Sequence, residues 1–207
     1  MQKEFLVSVA GGLLSAIMTS AILLNSGVGI ILGYFGLLPI MLVGFSSGIR
    51  YLTIASCFCV VSLILFSNQA QATLHFFSIV IPSILICYLV LNRQYINDKS
   101  SRWREIGEAV SAMTVLAIIY LLAGAAFLTD GSYNLESQIR EILNKIFSER
   151  MQIASALDRK LLISTIIPYF PALIASSWLI MILINAVIAQ SILIKIDKNI
   201  RPRVKYS

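Results

Sequence analysis

Apolar residues run through this chain in blocks about as long as a bilayer is thick, and the polar positions fall almost entirely between them. A membrane-crossing helix needs ~20 mostly apolar residues at a rise of about 1.5 Å each. Phe5–Leu24 supplies the first such block. Asn25-Ser26-Gly27 is a polar break, after which Val28–Phe45 forms a second block, interrupted by Pro39. Ser46-Ser47-Gly48 turns the chain into a third, Ile49–Phe66, and the uncharged link Ser67–Thr73 leads to a fourth, Leu74–Leu91, with Pro82 inside it. Asn92–Arg104 is a charged loop, and Ile106–Leu128 is the fifth block. The last apolar run, Leu161 to Ile196, is too long for one simple span. Pro168-Tyr169-Phe170-Pro171 breaks it, leaving Ala172–Ile194 as the sixth. The pattern predicts an all-α, polytopic integral membrane protein, with one transmembrane domain over residues 1–207.

Between the fifth and sixth blocks the period changes. Leu135, Ile139, Ile142, Leu143, Ile146 and Phe147 recur at helical spacing, with charges on the other face. This predicts an external amphipathic helix within residues 133–158. Such a helix can lie on the membrane surface, cap the bundle or serve as a solvated connector.

Composition agrees with lipid as the solvent. Of the 207 residues, 58% are hydrophobic and 13% charged, and mean hydropathy is +0.86. Soluble domains carry roughly 25% charged residues, and one of this size lacks the interior volume to hide so much apolar surface. Phe5–Leu24 exceeds the apolar region of about 7–15 residues in a signal peptide, and no small-residue cleavage site stands out, so a retained span is expected. The net charge of +6 sits in short segments between apolar blocks, which excludes a basic nucleic-acid-binding face. Lys3, Arg50, Arg93, Lys99, Arg102, Arg104, Lys195, Lys198, Arg201, Arg203 and Lys205 fall on one side of a six-span topology. The other side holds five basic and five acidic residues, all within Thr129–Lys160. The positive-inside rule then puts both termini in the cytoplasm and Thr129–Lys160 outside.

Few residues carry obvious chemistry. There is no phosphate-binding P-loop, no H-E-x-x-H zinc motif and no intramembrane carboxylate pair, so neither a catalytic residue nor a cofactor or metal site is expected, and the chain is not read as an enzyme. Cys57, Cys59 and Cys87 lie inside apolar runs and are expected to serve as packing residues. Ser8, Gly12, Ala16 and Ser20 form a small-residue stripe on the first span. In lipid such stripes mark close helix contact, either within the chain or with another membrane subunit. His75 sits near a span end beside Gln69 and Gln71, a candidate polar pocket. Asn185 and Gln190 lie deep in the last span, where an amide needs partners and either ties helices together or lines a cavity.

Pro171, Ser176, Trp178, Asn185, Ala189 and Gln190 resemble the C-terminal signature of the YybS-like family of bacterial multi-pass membrane proteins. Leu38-Pro39, Gly44 and Ser47-Gly48-Ile49-Arg50 resemble its other recurring segment. That family is distantly like the S-components of energy-coupling-factor vitamin transporters. The resemblance implies an S-component-like six-helix bundle in the bacterial plasma membrane, cytoplasmic termini, an outward-facing pocket for a small-molecule solute, and a first helix that docks a coupling subunit. The stripe at Ser8, Gly12, Ala16 and Ser20 matches that docking face in character. Two functions are therefore expected: a solute-binding or transport component, or a non-catalytic scaffold of a cell-envelope or division complex.

Overall fold

The helices of the computed structural model follow the apolar blocks, and their ends show why the chain turns where it does. The structure describes residues 2–24, 26–97, 100–128, 135–149 and 156–201. Helix α1 (Gln2–Ser20) ends in a 3₁₀ turn, Ala21–Leu24. Helix α2 (Gly27–Tyr34) is capped by Ser26, whose hydroxyl accepts the Gly29 N–H at 3.0 Å. The second block is a broken helix: α3 (Leu38–Ser47) restarts after the turn Phe35–Leu37 with Pro39 in its first turn, where a missing N–H costs nothing. Gly48, at φ 90°, separates α3 from α4 (Ile49–Phe66), a left-handed conformation that favours glycine.

The fourth span begins earlier than the apolar pattern predicted. Asn68 accepts the Gln71 N–H at 2.7 Å, and this cap starts α5 (Gln69–His75) inside the stretch expected to be a polar link. A π-helical turn, Phe76–Val80, joins α5 to α6 (Ile81–Leu91). Pro82 explains it: proline cannot donate to the carbonyl four residues back and its ring crowds that carbonyl, so the ladder widens just upstream. The charged loop contains a short antiparallel hairpin, β1 (Arg93–Asn97) and β2 (Ser100–Trp103), an addition to the expected all-α class.

Helices α7 (Ile106–Leu128), α8 (Leu135–Glu149), α9 (Ala156–Ile166) and α10 (Phe170–Lys195) complete the described elements. The prolines expected to break the last run produce only a 3₁₀ turn, Ile167–Tyr169, so helical structure is nearly continuous over Lys160–Lys195. A 3₁₀ turn suffices because Pro168 sits within it and Pro171 falls in the first turn of α10, where no intrahelical donor is lost. Six helical segments among the described residues are long and apolar enough to cross a membrane.

The chain forms two compact units. The first comprises Met1–Met113 and Met181–Ser207, the second Thr114–Ile180. In the first unit, α1 lies along α4 and α3. Ser8, Gly12 and Ala16 of the small-residue stripe are buried and Ser20 is half-buried, while Leu6, Ile17 and their neighbours face outward. In the second unit, α8 turns Ile139, Leu143 and Phe147 onto Ile163 of α9, with Ile166, Ile167 and Phe170 packed around them. Ile139, Leu143 and Phe147 of the amphipathic helix are thus covered within the chain. Glu136 pairs with Arg140 at 2.8 Å on its exposed side, and Tyr120 meets Trp178 at 5.6 Å between ring centroids.

A Cβ at Gly12 would meet the carbonyl oxygen of Ala55 on α4, a backbone atom that cannot swing aside. Gly12→Leu is expected to cost at least the ~1–3 kcal/mol typical of overpacking. Its melting temperature in detergent should drop by several degrees. Gly107→Ala, which enters open space, should leave melting unchanged. Equal melting of wild type and Gly12→Leu would show that α1 and α4 do not approach this closely.

Candidate functional site

His75, Asn185 and Gln190 stand in three separate places in the first unit. The first is a buried chain of hydrogen bonds. His75, only 2% exposed, places Nε2 3.1 Å from the Cys59 sulfur. The Cys59 thiol donates to Ser15 Oγ at 3.5 Å, and the Ser15 hydroxyl donates to the Gly36 carbonyl at 2.6 Å. That carbonyl lies in the turn that breaks the second span. If each donor is used once, His75 carries its proton on Nε2, and buried Nδ1 has no partner among the described residues. His75 therefore does not stand at a span end in a polar pocket. The Asn68 cap moves the helix start upstream and carries the imidazole into the packed interior.

Asn185 makes the second set. Its amide donates to the carbonyls of Tyr34 at 2.9 Å and Met181 at 2.8 Å. Tyr34 is the last residue of α2, where helix ends leave carbonyls unsatisfied, so the amide from α10 caps the break from across the bundle.

Gln190 belongs to the third place, a cavity of about 300 Å³. Its walls are largely apolar, from Phe45, Ile86, Val110, Leu183 and Ile194, and its polar corner holds Gln190, Ser191 and Arg201. Ile106 and Val187 line it yet are 51% and 64% exposed on the helix surface, so it opens sideways. Neither His75 nor Asn185 lines this cavity. His75 precedes Val90 by fifteen residues on one helical segment, a separation of about 22 Å along the axis.

The end of α10 builds the polar corner. The Lys198 N–H bonds to the Leu193 carbonyl at 3.0 Å and the Asp197 N–H to the Ile194 carbonyl at 3.3 Å, with Asp197 at φ 51°. This is a Schellman stop with aspartate in the left-handed position. The chain then folds back: the Ile200 N–H reaches the Phe45 carbonyl at 3.1 Å, and Gln190 Nε2 donates to the Arg201 carbonyl at 2.9 Å. Arg201 is 7% exposed. Its guanidinium donates to the carbonyls of Val90 at 3.1 Å and Arg104 at 2.9 Å, and its carbon lies 5.9 Å from the centroid of the Trp103 ring. Gln190 Oε1 is buried without a partner among the described residues. In the sequence, Arg201 is one of several tail cations, and no local pattern distinguishes it.

Gly44-Phe45-Ser46-Ser47-Gly48 also spells G-x-S-x-G. The nucleophile elbow needs a strand-to-helix turn. Here the motif ends one helix and begins another, and the Ser46 hydroxyl donates to the Val43 carbonyl at 3.2 Å. It is a helix junction. Among the described residues no group of three or more His, Cys, Asp or Glu side chains is arranged to hold a metal ion.

Helices of this length and apolarity give the chain the make-up of a multi-pass membrane protein. No family model matches the chain, and neither a curated protein nor a solved structure matches it.

Asn185→Leu removes both amide bonds. Interhelical hydrogen bonds in membranes contribute ~0.6 kcal/mol on average and up to about 1.7. The variant should melt a few degrees lower in detergent, with its oligomeric state unchanged. Unaltered melting would mean that the amide does not hold α10 to the break after α2.

Proposed function

We propose that this protein is a membrane-embedded solute-binding or transport component whose ligand occupies the cavity between α6, α7 and α10. The observation that carries this reading is the cavity's construction: about 300 Å³, mostly apolar, with one polar corner. Binding sites for small molecules share that design, with apolar walls supplying affinity and a few polar groups fixing orientation. The resemblance carried by Pro171 to Gln190 supports a bacterial plasma membrane, and the clustering of Lys and Arg supports cytoplasmic termini.

An S-component-like protein would hold its pocket outward. This cavity lies instead at the end bearing Arg50, Arg104, Lys195 and Lys198, and it opens sideways. That geometry favours entry from the bilayer over capture from the external medium. The scaffold reading draws less support, because most of the small-residue stripe that suited docking is packed against α4. A partner subunit on the first span would have to use the outer face around Leu6 and Ile17.

Two measurements test this. Ala186 lines the cavity, and Ala186→Phe would fill it. Mass spectrometry of solvent extracts should find an amphiphile with the purified wild type and lose it with the variant. The same extract from both would remove the cavity from consideration. For topology, Lys198→Cys in a Cys57→Ser background should react with an impermeant thiol reagent only after cells are opened. Labelling of intact cells would reverse the orientation.

A further inference from the structure

We propose that the ligand of this cavity is an acidic membrane lipid, with one acyl chain between the helices and its headgroup at Arg201, an inference that rests on the binding role proposed above. The hydrocarbon half of the argument comes from the walls. A volume of about 300 Å³ equals roughly ten waters of liquid, but a cavity lined by Phe45, Ile86, Val110 and Leu183 offers water few partners. Its mouth runs past Ile106 and Val187, on a helix surface that a bilayer would cover. Acyl chains are the material at that mouth.

The headgroup half comes from the polar corner. Arg201 brings a permanent positive charge, and its planar fork matches the geometry of a phosphate. The bonds to the Val90 and Arg104 carbonyls hold that fork in place before any ligand arrives. Lys195 and Lys198 belong to the same end of the unit and add positive charge there, while Arg104 is paired with Glu108 at 3.5 Å. Basic pockets between transmembrane helices suit acidic headgroups for this reason. Gln190 lines the same corner and donates to the Arg201 carbonyl at 2.9 Å, which fixes the backbone that carries the guanidinium. A phosphodiester with a net negative charge, as in phosphatidylglycerol, answers the guanidinium. Phosphatidylcholine has no net charge.

The test uses the full-length chain, delipidated in detergent and titrated with phosphatidylglycerol or phosphatidylcholine of identical acyl chains, with bound lipid counted by native mass spectrometry. Phosphatidylglycerol should bind one per chain and at least tenfold more tightly. Added salt should weaken that preference without variants that disturb folding. Ala186→Phe should abolish retention of both lipids, and Arg201→Gln should reduce phosphatidylglycerol to the level of phosphatidylcholine. Arg201→Lys, which keeps the charge, should preserve part of the preference. Equal, salt-independent affinity for the two lipids, lost in Ala186→Phe, would overturn the acidic headgroup while leaving the binding role intact. Binding of both lipids indifferent to Ala186→Phe would overturn both.

Discussion

The approach of α1 to α4 at Gly12 is the contact on which the first unit depends. Between apolar helices in an apolar solvent there is no hydrophobic gain to drive association, so close packing and interhelical hydrogen bonds must do it. Glycine at position 12 lets the α1 backbone come against the Ala55 carbonyl. That closeness brings Ser15, three residues on, within reach of both the Cys59 thiol and the Gly36 carbonyl. One small residue thus positions a hydrogen-bonded chain that crosses α1, α4, α5 and the turn after α2.

Breaks in the helices are the second organising feature. Each frees backbone groups that an apolar medium cannot satisfy, and at the turn after α2 and the end of α6 side chains from elsewhere in the sequence answer them. Ser15 answers Gly36, Asn185 answers Tyr34, and Arg201 answers Val90 at the end of α6. These contacts join positions far apart in the chain. The same logic explains why the polar corner of the cavity exists: the tail after α10 must return to the bundle to supply its guanidinium.

Within the second unit, α8 is organised by amphipathicity. Helix α8 has an apolar stripe, and α9 with the start of α10 packs onto its Ile139, Leu143 and Phe147. Charge pairs such as Glu136 with Arg140 stay on the open side, where each contributes only a few tenths of a kcal/mol.

Hydropathy alone located most of the apolar helices, because apolar length is a local property: Ile49–Phe66 and Ile106–Leu128 match the sequence blocks end to end. Small residues four apart on the first span announced a contact face in the same way. What no local pattern could announce was the partner of each polar group. His75 was legible as a deep ionisable residue near a span end, but the Asn68 cap that moved the helix start also moved it inward, to Cys59. Asn185 and Gln190 read alike as buried amides, yet one ties a broken helix and the other stands in a cavity. Arg201 looked like any cation of a basic tail. Its placement rests on a left-handed Asp197, a reversed chain and carbonyls contributed by α6 and by Arg104 just after the hairpin, and only the folded chain brings those together.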